Sequence, residues 1–278
     1  MPHHDTPSTS LLPGALRRMA CIFITGSTDG LGRAAARTLL DDGHRVVLHA
    51  RTAARAASVD DLAVRAAGVV VGDLASAEET GRVADQVNAI GRMDAVIHNA
   101  AIYIDARRLA TPEGHARTLA VNVLAPYVLT ATIDRPSRLI YMTSGMHRDG
   151  DASLRDIDWT ARRWSGVQAY SDSKLFIVAL ALAVARRWPG VCSNAVDPGW
   201  VPTRMGGPGA PDDLELGHVT QEWLAASDEA EAGDSGGYWY HQRRHAPALA
   251  AADDRFQDAL LGELTRLTGV RMPGQSVG

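Results

Sequence analysis

The chain has 278 residues, a length that suits one large α/β domain better than two ordinary ones. Hydrophobic residues make up 46% and charged residues 22%, a globular balance that excludes a largely disordered chain. Lys and Arg total 28 and Asp and Glu total 32, so the net charge is −4. This mild acidity argues against non-specific binding to nucleic acid or to an anionic membrane surface.

The N-terminal stretch, residues 1–18, mixes polar residues with an apolar run too short for the core of a signal peptide. No run approaches the roughly 18 apolar residues of a membrane span. We therefore expect a mobile tail over residues 1–18 and a cytoplasmic protein without a membrane partner. Cys21 and Cys192 lie in apolar strand-like runs and are predicted to be buried thiols, not a disulfide, and no metal site is predicted.

From Ala20 onward, short β-branched runs alternate with longer helical stretches. The predicted strands are Ala20–Thr25, Arg45–Ala50, Val69–Gly72, Asp94–His98, Arg138–Met142 and Val191–Val196, with Gly236–Trp239 as a candidate seventh. The predicted helices are Gly30–Asp42, a helix capped by Ser76 that runs to Ile90, a helix opened by Pro112 that runs to Ile133, and Gln168–Trp188. Continuous apolar strands separated by helices predict an α/β fold, a doubly wound parallel sheet with helices on both faces.

A glycine-rich turn, Thr25-Gly26-Ser27-Thr28-Asp29-Gly30-Leu31-Gly32, joins the first strand to its helix. Glycines let a pyrophosphate approach backbone amides without Cβ atoms in the way, and the helix N-terminus adds partial positive charge. The spacing is G-x-x-x-G-x-G and not G-x-G-x-x-G, so a plain glycine turn stays an alternative. The turn predicts a dinucleotide-binding site.

The end of the second strand bears on the choice of cofactor. Where an acidic residue would bind the ribose 2′-hydroxyl of NAD, the chain has His49-Ala50-Arg51, with Arg55 close behind. Arginine can form a charge-assisted fork to a 2′-phosphate, so Arg51 favours NADP(H) over NAD(H). A solvated arginine is the alternative, and Asp29 inside the glycine turn argues against a phosphate nearby.

Tyr170 and Lys174 lie four residues apart at the start of the long predicted helix, and Lys174 is the only lysine in the chain. Residues four apart share one face of a helix. An ammonium beside a phenol stabilises the phenolate and would lower the phenol pKa from about 10 towards neutral, which suits acid–base catalysis. A surface pair is the alternative from spacing alone, but the glycine turn and the single lysine favour a catalytic pair.

With these residues the chain resembles the short-chain dehydrogenase/reductase family over about residues 19–240. The motifs that carry the resemblance occur in the family's order and are Thr25-Gly26-x-x-x-Gly30-x-Gly32, Asp73-Leu74, Asn99-Ala100, Asn122, Ser144, Tyr170-x-x-x-Lys174 and Pro198-Gly199. Asp158-Trp159 is similar to the retinol-dehydrogenase-like and antibiotic-ketoreductase branches. The resemblance implies a single Rossmann-type domain of about seven strands over residues 19–278, with a substrate loop at about 200–235 and a C-terminal extension.

The resemblance implies a role for each motif residue. Ser144 would hydrogen-bond the substrate carbonyl, Tyr170 would pass the proton, and Lys174 would hold the nicotinamide ribose and tune Tyr170. Asn122 would carry a water that links Lys174 to bulk solvent. The implied cofactor residues are Gly26, Ser27, Thr28, Gly30, Leu31, Gly32, Arg51, Asp73, Leu74, Asn99, Ala100, Ala101, Tyr170, Lys174, Pro198, Gly199, Val201 and Thr203.

Two departures from the family pattern stand out. The usual Asn-Asn-Ala-Gly is His98-Asn99-Ala100-Ala101 here, where Ala101 limits the backbone freedom that glycine gives, and we expect His98 to be buried. The stretch between Asn122 and the fifth strand is short, which shortens a helix that such proteins use to dimerise. A homodimer is expected, and a tetramer stays open.

These observations predict an NADPH-dependent oxidoreductase that transfers a hydride between the nicotinamide and a ketone, aldehyde or alcohol carbon of a small to medium apolar substrate. The candidate pocket walls, each equally expected in the core, are Trp159, Trp164, Tyr103, Met146 and Trp200. The alternative is a regulator that senses NADP(H) without turnover, although retention of the four catalytic residues argues against it. No nucleic-acid partner is expected.

Overall fold

The structure, a computed structural model, describes residues 19–274, so the predicted mobile tail lies outside the described residues. Within this range eight strands form one sheet: β1 (Cys21–Ile24), β2 (Arg45–Ala50), β3 (Gly68–Val71), β4 (Ala95–His98), β5 (Arg138–Met142), β6 (Cys192–Asp197), β7 (Tyr238–Tyr240) and β8 (Arg243–His245). The order across the sheet is β3-β2-β1-β4-β5-β6-β7-β8. Neighbours from β3 to β7 pair in parallel, and β8 pairs antiparallel with β7.

The doubly wound parallel sheet is therefore confirmed, with one antiparallel edge strand that the sequence did not predict. The strand order reverses at β1, because β2 and β3 lie on one side of it and β4 lies on the other. In open α/β sheets a crevice forms outside the carboxyl ends of the strands at such a reversal. This places the glycine turn after β1 and the residues after β4, β5 and β6 around one crevice.

The helices lie on both faces of the sheet. They are α1 (Gly30–Asp41), α2 (Ala53–Ala57), α3 (Asp60–Ala63), α4 (Ala77–Ile90), α5 (Arg117–Leu119), α6 (Ala125–Thr132), α7 (Gly166–Arg187), α8 (Leu214–Ala226) and α9 (Asp254–Thr268). Side chains of β1 alternate between two cores, as a pleated strand requires. Phe23 packs in the core under α4 and α7, whereas Ile22 and Ile24 pack in the core under α1 and α8.

Local chemistry explains the helix starts nearest the crevice. Asp29 is the N-cap of α1, and Ser76 caps α4 by accepting a hydrogen bond from the amide of Glu79 at 3.3 Å. The Glu79 carboxylate does not complete a capping box, because it accepts from the amide of Asp73 at 2.7 Å instead. Helix α4 is thereby tied to the loop that follows β3.

The predicted helix opened by Pro112 is wrong at its start. Pro112 lies in a tight turn in which the Thr111 amide donates to the His115 carbonyl at 2.8 Å, and Gly114 takes a φ of +90°. The helix begins only at Arg117, five residues later. Proline at the first position of a turn and proline at the first position of a helix need the same φ, so sequence alone did not separate them.

Two further stretches differ from expectation. Residues 120–124 form one wide turn of π-helix between α5 and α6, a feature that often marks functional sites. The predicted substrate loop at about 200–235 contains helix α8, so its irregular part is confined to residues 198–213 and a stretch after α8. Helix α8 packs against α1, which fixes the far end of this loop to the sheet.

Helix α7 is the central helix of the larger core. It is the one helix of the described residues long and apolar enough to cross a membrane, but 83% of its most apolar window is buried inside the protein. The C-terminal helix α9 packs along α7, and the Tyr127 hydroxyl on α6 bonds to Thr265 Oγ1 at 2.8 Å and donates to the Val270 carbonyl at 2.9 Å. Both cysteines are free; Cys21 is buried and Cys192 half-buried.

Candidate active site

A cleft of about 1120 Å³ opens at the carboxyl ends of the central strands. It brings together most of the predicted site residues: Gly26, Thr28, Gly30, Leu31, Arg51, Asp73, Leu74, Asn99, Ala100, Ala101, Ser144, Tyr170, Lys174, Pro198, Gly199, Val201 and Thr203 line its walls. Ser27, Gly32 and Asn122 lie behind the wall and do not line the cleft. The cleft therefore runs from the glycine turn to the Tyr170–Lys174 pair.

The glycine turn needs its glycines for two separate reasons. Gly26 and Gly30 take φ values of +65° and +51°, in the left-handed region that favours glycine. A Cβ atom on Gly32 would lie 2.3 Å from Asn99 Nδ2 and 2.6 Å from the Gly26 carbonyl oxygen. Asn99 in turn donates from Nδ2 to the carbonyls of Thr25 at 3.0 Å and Gly26 at 3.2 Å. The end of β4 is thus clamped directly onto the turn.

The turn also presents hydrogen-bond donors. The backbone amides of Leu31 and Gly32, in the first turn of α1, have no acceptor among residues 19–274. Unpartnered first-turn amides and the positive end of the helix dipole together favour an anion such as phosphate. The residues present therefore fit the pyrophosphate of a dinucleotide.

Two arginines near the end of β2 differ in their partners. Arg55 Nη2 lies 3.3 Å from Asp29 Oδ2 and 3.3 Å from Thr28 Oγ1, so its charge is balanced by the carboxylate of the turn. Arg51 is exposed on the cleft wall and forms no ion pair with any residue between 19 and 274. The negative charge of Asp29 was an argument against a phosphate nearby, but the Arg55 guanidinium balances that charge.

The loops after β3 and β4 complete this end of the cleft. Leu74 is buried, and the Asp73 carboxylate accepts from the amide of Ala75 at 2.9 Å. Ala101 takes no left-handed φ, so alanine fits where the family usually has glycine. His98 is fully enclosed, stacks on Tyr141 with ring centroids 4.7 Å apart, and has a pKa lowered to about 3 by burial.

Tyr170 and Lys174 lie on one face of α7 and are both buried, with 5% and 3% of their surface exposed. The Lys174 ammonium donates to the Met142 carbonyl at 3.0 Å and lies 5.4 Å from the centre of the Tyr170 ring. Burial lowers the pKa of Lys174 to about 8, and the Asp197 carboxylate opposes that shift. The Lys174 ammonium therefore lies close to the phenol, while its hydrogen bond goes to the backbone carbonyl of Met142.

The expectation of an acidic phenol is wrong for the chain by itself. Burial raises the pKa of Tyr170 above its ordinary value, the Ser144 hydroxyl lowers it, and the neighbouring Tyr103 and Asp197 raise it. The Lys174 ammonium, 5.4 Å from the centre of the ring, does not outweigh the burial of the phenol in the free chain. Tyr170 accordingly holds its proton at neutral pH and can donate it.

Asn122 lies in the π-turn and is buried behind the cleft. Its Oδ1 accepts from the amide of Ile102 at 2.7 Å, and its Nδ2 donates to the Ile102 carbonyl and to Ser173 Oγ, each at 3.0 Å. Both polar atoms of the side chain have protein partners, and the role of Asn122 as carrier of a water stays a prediction. The side chain fixes Ile102 in the cleft wall.

Ser144 follows β5 and caps the short 3₁₀ turn Gly145–Asp149, accepting from the amide of Met146 at 3.3 Å. Its carbonyl lies 2.8 Å from Nδ1 of the fully buried His147, whose Nε2 accepts from the amide of Ala248 at 3.0 Å. An Nδ1–H imidazole satisfies both contacts. His147 thus holds the backbone of Ser144 and does not itself line the cleft.

The sequence reasoning missed Asp197, a carboxylate in the cleft wall at the end of β6. It accepts from the Tyr238 hydroxyl at 2.8 Å and from the amide of Gly199 at 3.0 Å, and only 8% of its surface is exposed. A signal existed, because polar residues at the carboxyl end of a central strand commonly face the crevice. The cofactor residues predicted in this segment begin at Pro198, one residue after Asp197.

The mouth of the cleft is apolar and open. Tyr103, Met146 and Trp200 line it as expected, and Trp200 is 59% exposed. The Tyr103 ring meets the Tyr170 ring edge-on, with centroids 4.9 Å apart. The other two candidate walls do not line the cleft, because Trp159 and Trp164 pack against each other with centroids 5.4 Å apart.

The Asp158-Trp159 motif does not line the cleft; Asp158 binds the residues that directly precede α5. The Asp158 carboxylate accepts from the amide of Ala116 at 2.6 Å and lies 2.6 Å from His115 Nδ1, while Trp159 takes a φ of +56°. Arg162 stacks on the Trp159 ring at 3.5 Å. A bulky residue in the left-handed region is uncommon and persists only where its surroundings fix it.

Known proteins are similar to this chain in sequence and in fold. The model of the enoyl-(acyl carrier protein) reductase family matches residues 26–237, which include the glycine turn and the Tyr170–Lys174 pair. A short-chain dehydrogenase of Gibberella zeae, chry4, is 40% identical over 92% of this chain and 99% of its own length. A Streptomyces protein named as a proposed daunorubicin C-13 ketoreductase, DnrU, is 32% identical, with 94% of each chain covered. The crystal structure of an uncharacterized protein from Mycobacterium paratuberculosis has a TM-score of 0.78 at 25% identity and covers 91% of this chain and 95% of that one.

Proposed function

This chain belongs to the short-chain dehydrogenase/reductase family of NAD(P)-dependent oxidoreductases, and we propose that it uses NADPH to reduce the carbonyl of an apolar ketone or aldehyde. The observation that carries the proposal is the cleft itself. It joins an anion-binding glycine turn at one end to a buried, protonated tyrosine and a buried lysine at the other. A dinucleotide extends from pyrophosphate to nicotinamide, so one ligand can reach both ends.

Three residues of the chain have separate roles in the proposed reaction. When bound, the cofactor supplies the hydride. Tyr170 donates its proton to the carbonyl oxygen, and Ser144 hydrogen-bonds the same oxygen as negative charge develops there. Lys174 holds positive charge beside Tyr170, which stabilises the phenolate left after proton transfer.

The preference for NADPH rests on Arg51. Its guanidinium lies on the cleft wall near the end of β2 without an ion-pair partner among residues 19–274, while Arg55 is engaged by Asp29. An unpartnered guanidinium suits a 2′-phosphate, and no carboxylate follows β2 to favour the 2′-hydroxyl of NADH.

The substrate class rests on the mouth of the cleft. Tyr103, Trp200 and Met205 expose between 39% and 59% of their surface there. Large apolar side chains left open beside a catalytic pair suit an apolar substrate that covers them. DnrU, whose name describes a ketoreductase, supports reduction of a ketone as the reaction.

The test is NADPH consumption against a panel of aliphatic and aromatic ketones and aldehydes, with the alcohol product identified. The proposal predicts turnover on at least one apolar carbonyl compound and slower turnover with NADH. Tight NADPH binding without turnover on any of them would instead support a regulator that senses the cofactor. Absence of binding to either dinucleotide would contradict both.

Two expectations from the sequence stay predictions. We propose a cytoplasmic homodimer; because α9 packs along α7, a contact between subunits on that side of α7 would involve α9. Light scattering at several protein concentrations measures the subunit count directly.

A further inference from the structure

His49 is a buried imidazole at the carboxyl end of β2, two residues before Arg51, and the proposed mechanism does not use it. It is 2% exposed and forms part of the cleft wall beside the glycine turn. The ring bridges two separate loops. Its Nδ1 lies 2.9 Å from the amide nitrogen of Gly26, and its Nε2 lies 2.9 Å from the carbonyl oxygen of Gly72.

These two partners fix the state of the ring. A backbone amide can only donate and a backbone carbonyl can only accept, so Nδ1 must carry the lone pair and Nε2 the hydrogen. The backbone of His49 holds the same turn, because its amide donates to Ser27 Oγ at 2.8 Å and its carbonyl accepts from the Ser27 amide at 3.2 Å. Four hydrogen bonds thus connect this one residue to the turn and to the loop after β3.

The hydrogen bonds distinguish the first amides of the glycine turn from its last two. The amides of Gly26 and Ser27 are bound to His49 and are not available to an anion. The amides of Leu31 and Gly32 have no acceptor among residues 19–274. His49 therefore helps to decide which donors face the cleft.

We infer that His49 is a positioning residue of the dinucleotide site, whose neutral Nε2–H imidazole fixes the start of the glycine turn so that its later amides face the pyrophosphate. The inference deepens the proposed function, since it rests on a dinucleotide being the ligand of this turn. It assigns the residue no contact with the cofactor.

The inference also predicts how binding depends on pH. A second proton on Nδ1 would point at the Gly26 N–H and break that contact. Burial lowers the pKa of His49 below 6.5, whereas the Gly72 carbonyl and the nearby Asp73 carboxylate raise it. Of the other elements beside His49, β1 contributes the edge of Phe23, and the turn contributes the Gly26 amide and the Ser27 hydroxyl. The affinity for NADPH is therefore expected to fall as His49 is protonated, at a pH below that at which an ordinary histidine takes up its proton.

Nitrogen-15 NMR of the histidine rings in the cofactor-free protein tests the tautomer. The expected spectrum shows His49 neutral at pH 7, with the hydrogen on Nε2; the signal is assigned by its loss in His49→Asn. A hydrogen on Nδ1, or a charged ring at this pH, would overturn the inference. This measurement does not depend on activity or on cofactor.

Calorimetric titration with NADPH from about pH 5 to pH 8 tests the consequence. In His49→Asn the amide oxygen can replace Nδ1 as acceptor for Gly26 but cannot take up a proton. This variant should bind within about threefold of the wild-type protein at neutral pH and lose the weakening in acid. His49→Leu removes both ring contacts and should weaken binding about tenfold or more.

The same acid weakening in His49→Asn as in the wild-type protein, or wild-type affinity in His49→Leu, would overturn the inference while leaving the proposed function intact. If the leucine variant does not fold, the tautomer and the asparagine profile still decide the question. Absence of NADPH and NADH binding to the wild-type protein would instead overturn the proposed function, and this inference with it.

Discussion

The two ends of the cleft differ in how firmly the chain holds them. At the glycine-turn end, Asn99 and His49 bind the turn from the ends of β4 and β2, the strands on either side of β1. A Cβ on Gly32 would not fit there. At the mouth, Trp200 is more than half exposed and is held mainly through Asp212 and Gly206 of its own loop. One end is therefore built to a fixed shape, and the other can adapt to its ligand.

This difference predicts two kinds of mutational effect. Changes at the firmly held end and at the catalytic pair should act equally on every substrate, because they alter the common step. Changes at the mouth should depend on substrate size.

Lys174→Met should reduce turnover by about 10²-fold or more on every carbonyl substrate, because it removes the charge beside Tyr170. The same variant should stabilise the free protein at neutral pH by about 1–3 kcal/mol. Burial holds the pKa of Lys174 at about 8 against an ordinary 10.5, a difference worth about 3 kcal/mol, and the lost bond to the Met142 carbonyl reduces the gain.

The sign of that effect depends on pH. Below pH 8 both folded and unfolded chains carry the Lys174 proton, so the destabilisation is complete. Between pH 8 and 10.5 the folded chain has released the proton and the unfolded chain has not, so the destabilisation fades. Urea unfolding of both proteins at pH 7 and near pH 10.5 measures this; a less stable variant at pH 7 would contradict the account.

Ser144→Ala should lower kcat by about 10²-fold while NADPH binding stays unchanged, since the hydroxyl acts on charge that develops during reaction. Ser144 also lowers the pKa of Tyr170, so the pH needed for alcohol oxidation should move upward. Steady-state kinetics in both directions measure both effects, with the exposed Ser153→Ala as the matched control. A change confined to KM would assign Ser144 to binding.

Arg51→Asp should shift the preference from NADPH towards NADH by about tenfold or more, because a carboxylate repels the 2′-phosphate. The matched variant is Arg55→Asp, which removes a guanidinium already engaged by Asp29 and should shift the preference less. The ratio of kcat/KM for the two cofactors measures the effect. A larger shift in Arg55→Asp than in Arg51→Asp would reverse the assignment.

Trp200→Ala should raise KM only a few-fold, and only for bulky apolar ketones. The ring loses contact area with a large substrate but lies too far out on the mouth to touch a small one. Kinetics with one bulky and one small ketone test this prediction. An equal effect on both would show that the mouth is as rigid as the glycine-turn end.

Much of the glycine-turn end was predictable from sequence, because short local residue patterns determine it. The bounds of β2 and β5 match the prediction, and the glycine spacing located the turn. The mouth was less predictable because its shape depends on distant contacts. Helix α8 was taken for loop, and the start of the helix after Pro112 was misplaced because the turn that holds Pro112 depends on contacts with residues such as Asp158.

The catalytic pair shows the same limit in its electrostatics. Spacing correctly put Tyr170 and Lys174 on one face of α7, because helical geometry is local. It could not give their pKa values. These depend on burial, on the Ser144 hydroxyl and on the Asp197 carboxylate, none of which the helix itself encodes.

The proposed reaction depends on one step, in which the Tyr170 hydroxyl donates the proton that completes carbonyl reduction. Its most direct test is a single-turnover measurement of NADPH oxidation in Tyr170→Phe saturated with cofactor. Tyr127→Phe is the matched control, since it removes a hydroxyl that bonds to Thr265 and Val270, outside the cleft. We predict unchanged NADPH affinity and a rate at least about 10²-fold lower in Tyr170→Phe, with a near-normal rate in the control. A near-normal rate in Tyr170→Phe would contradict the account.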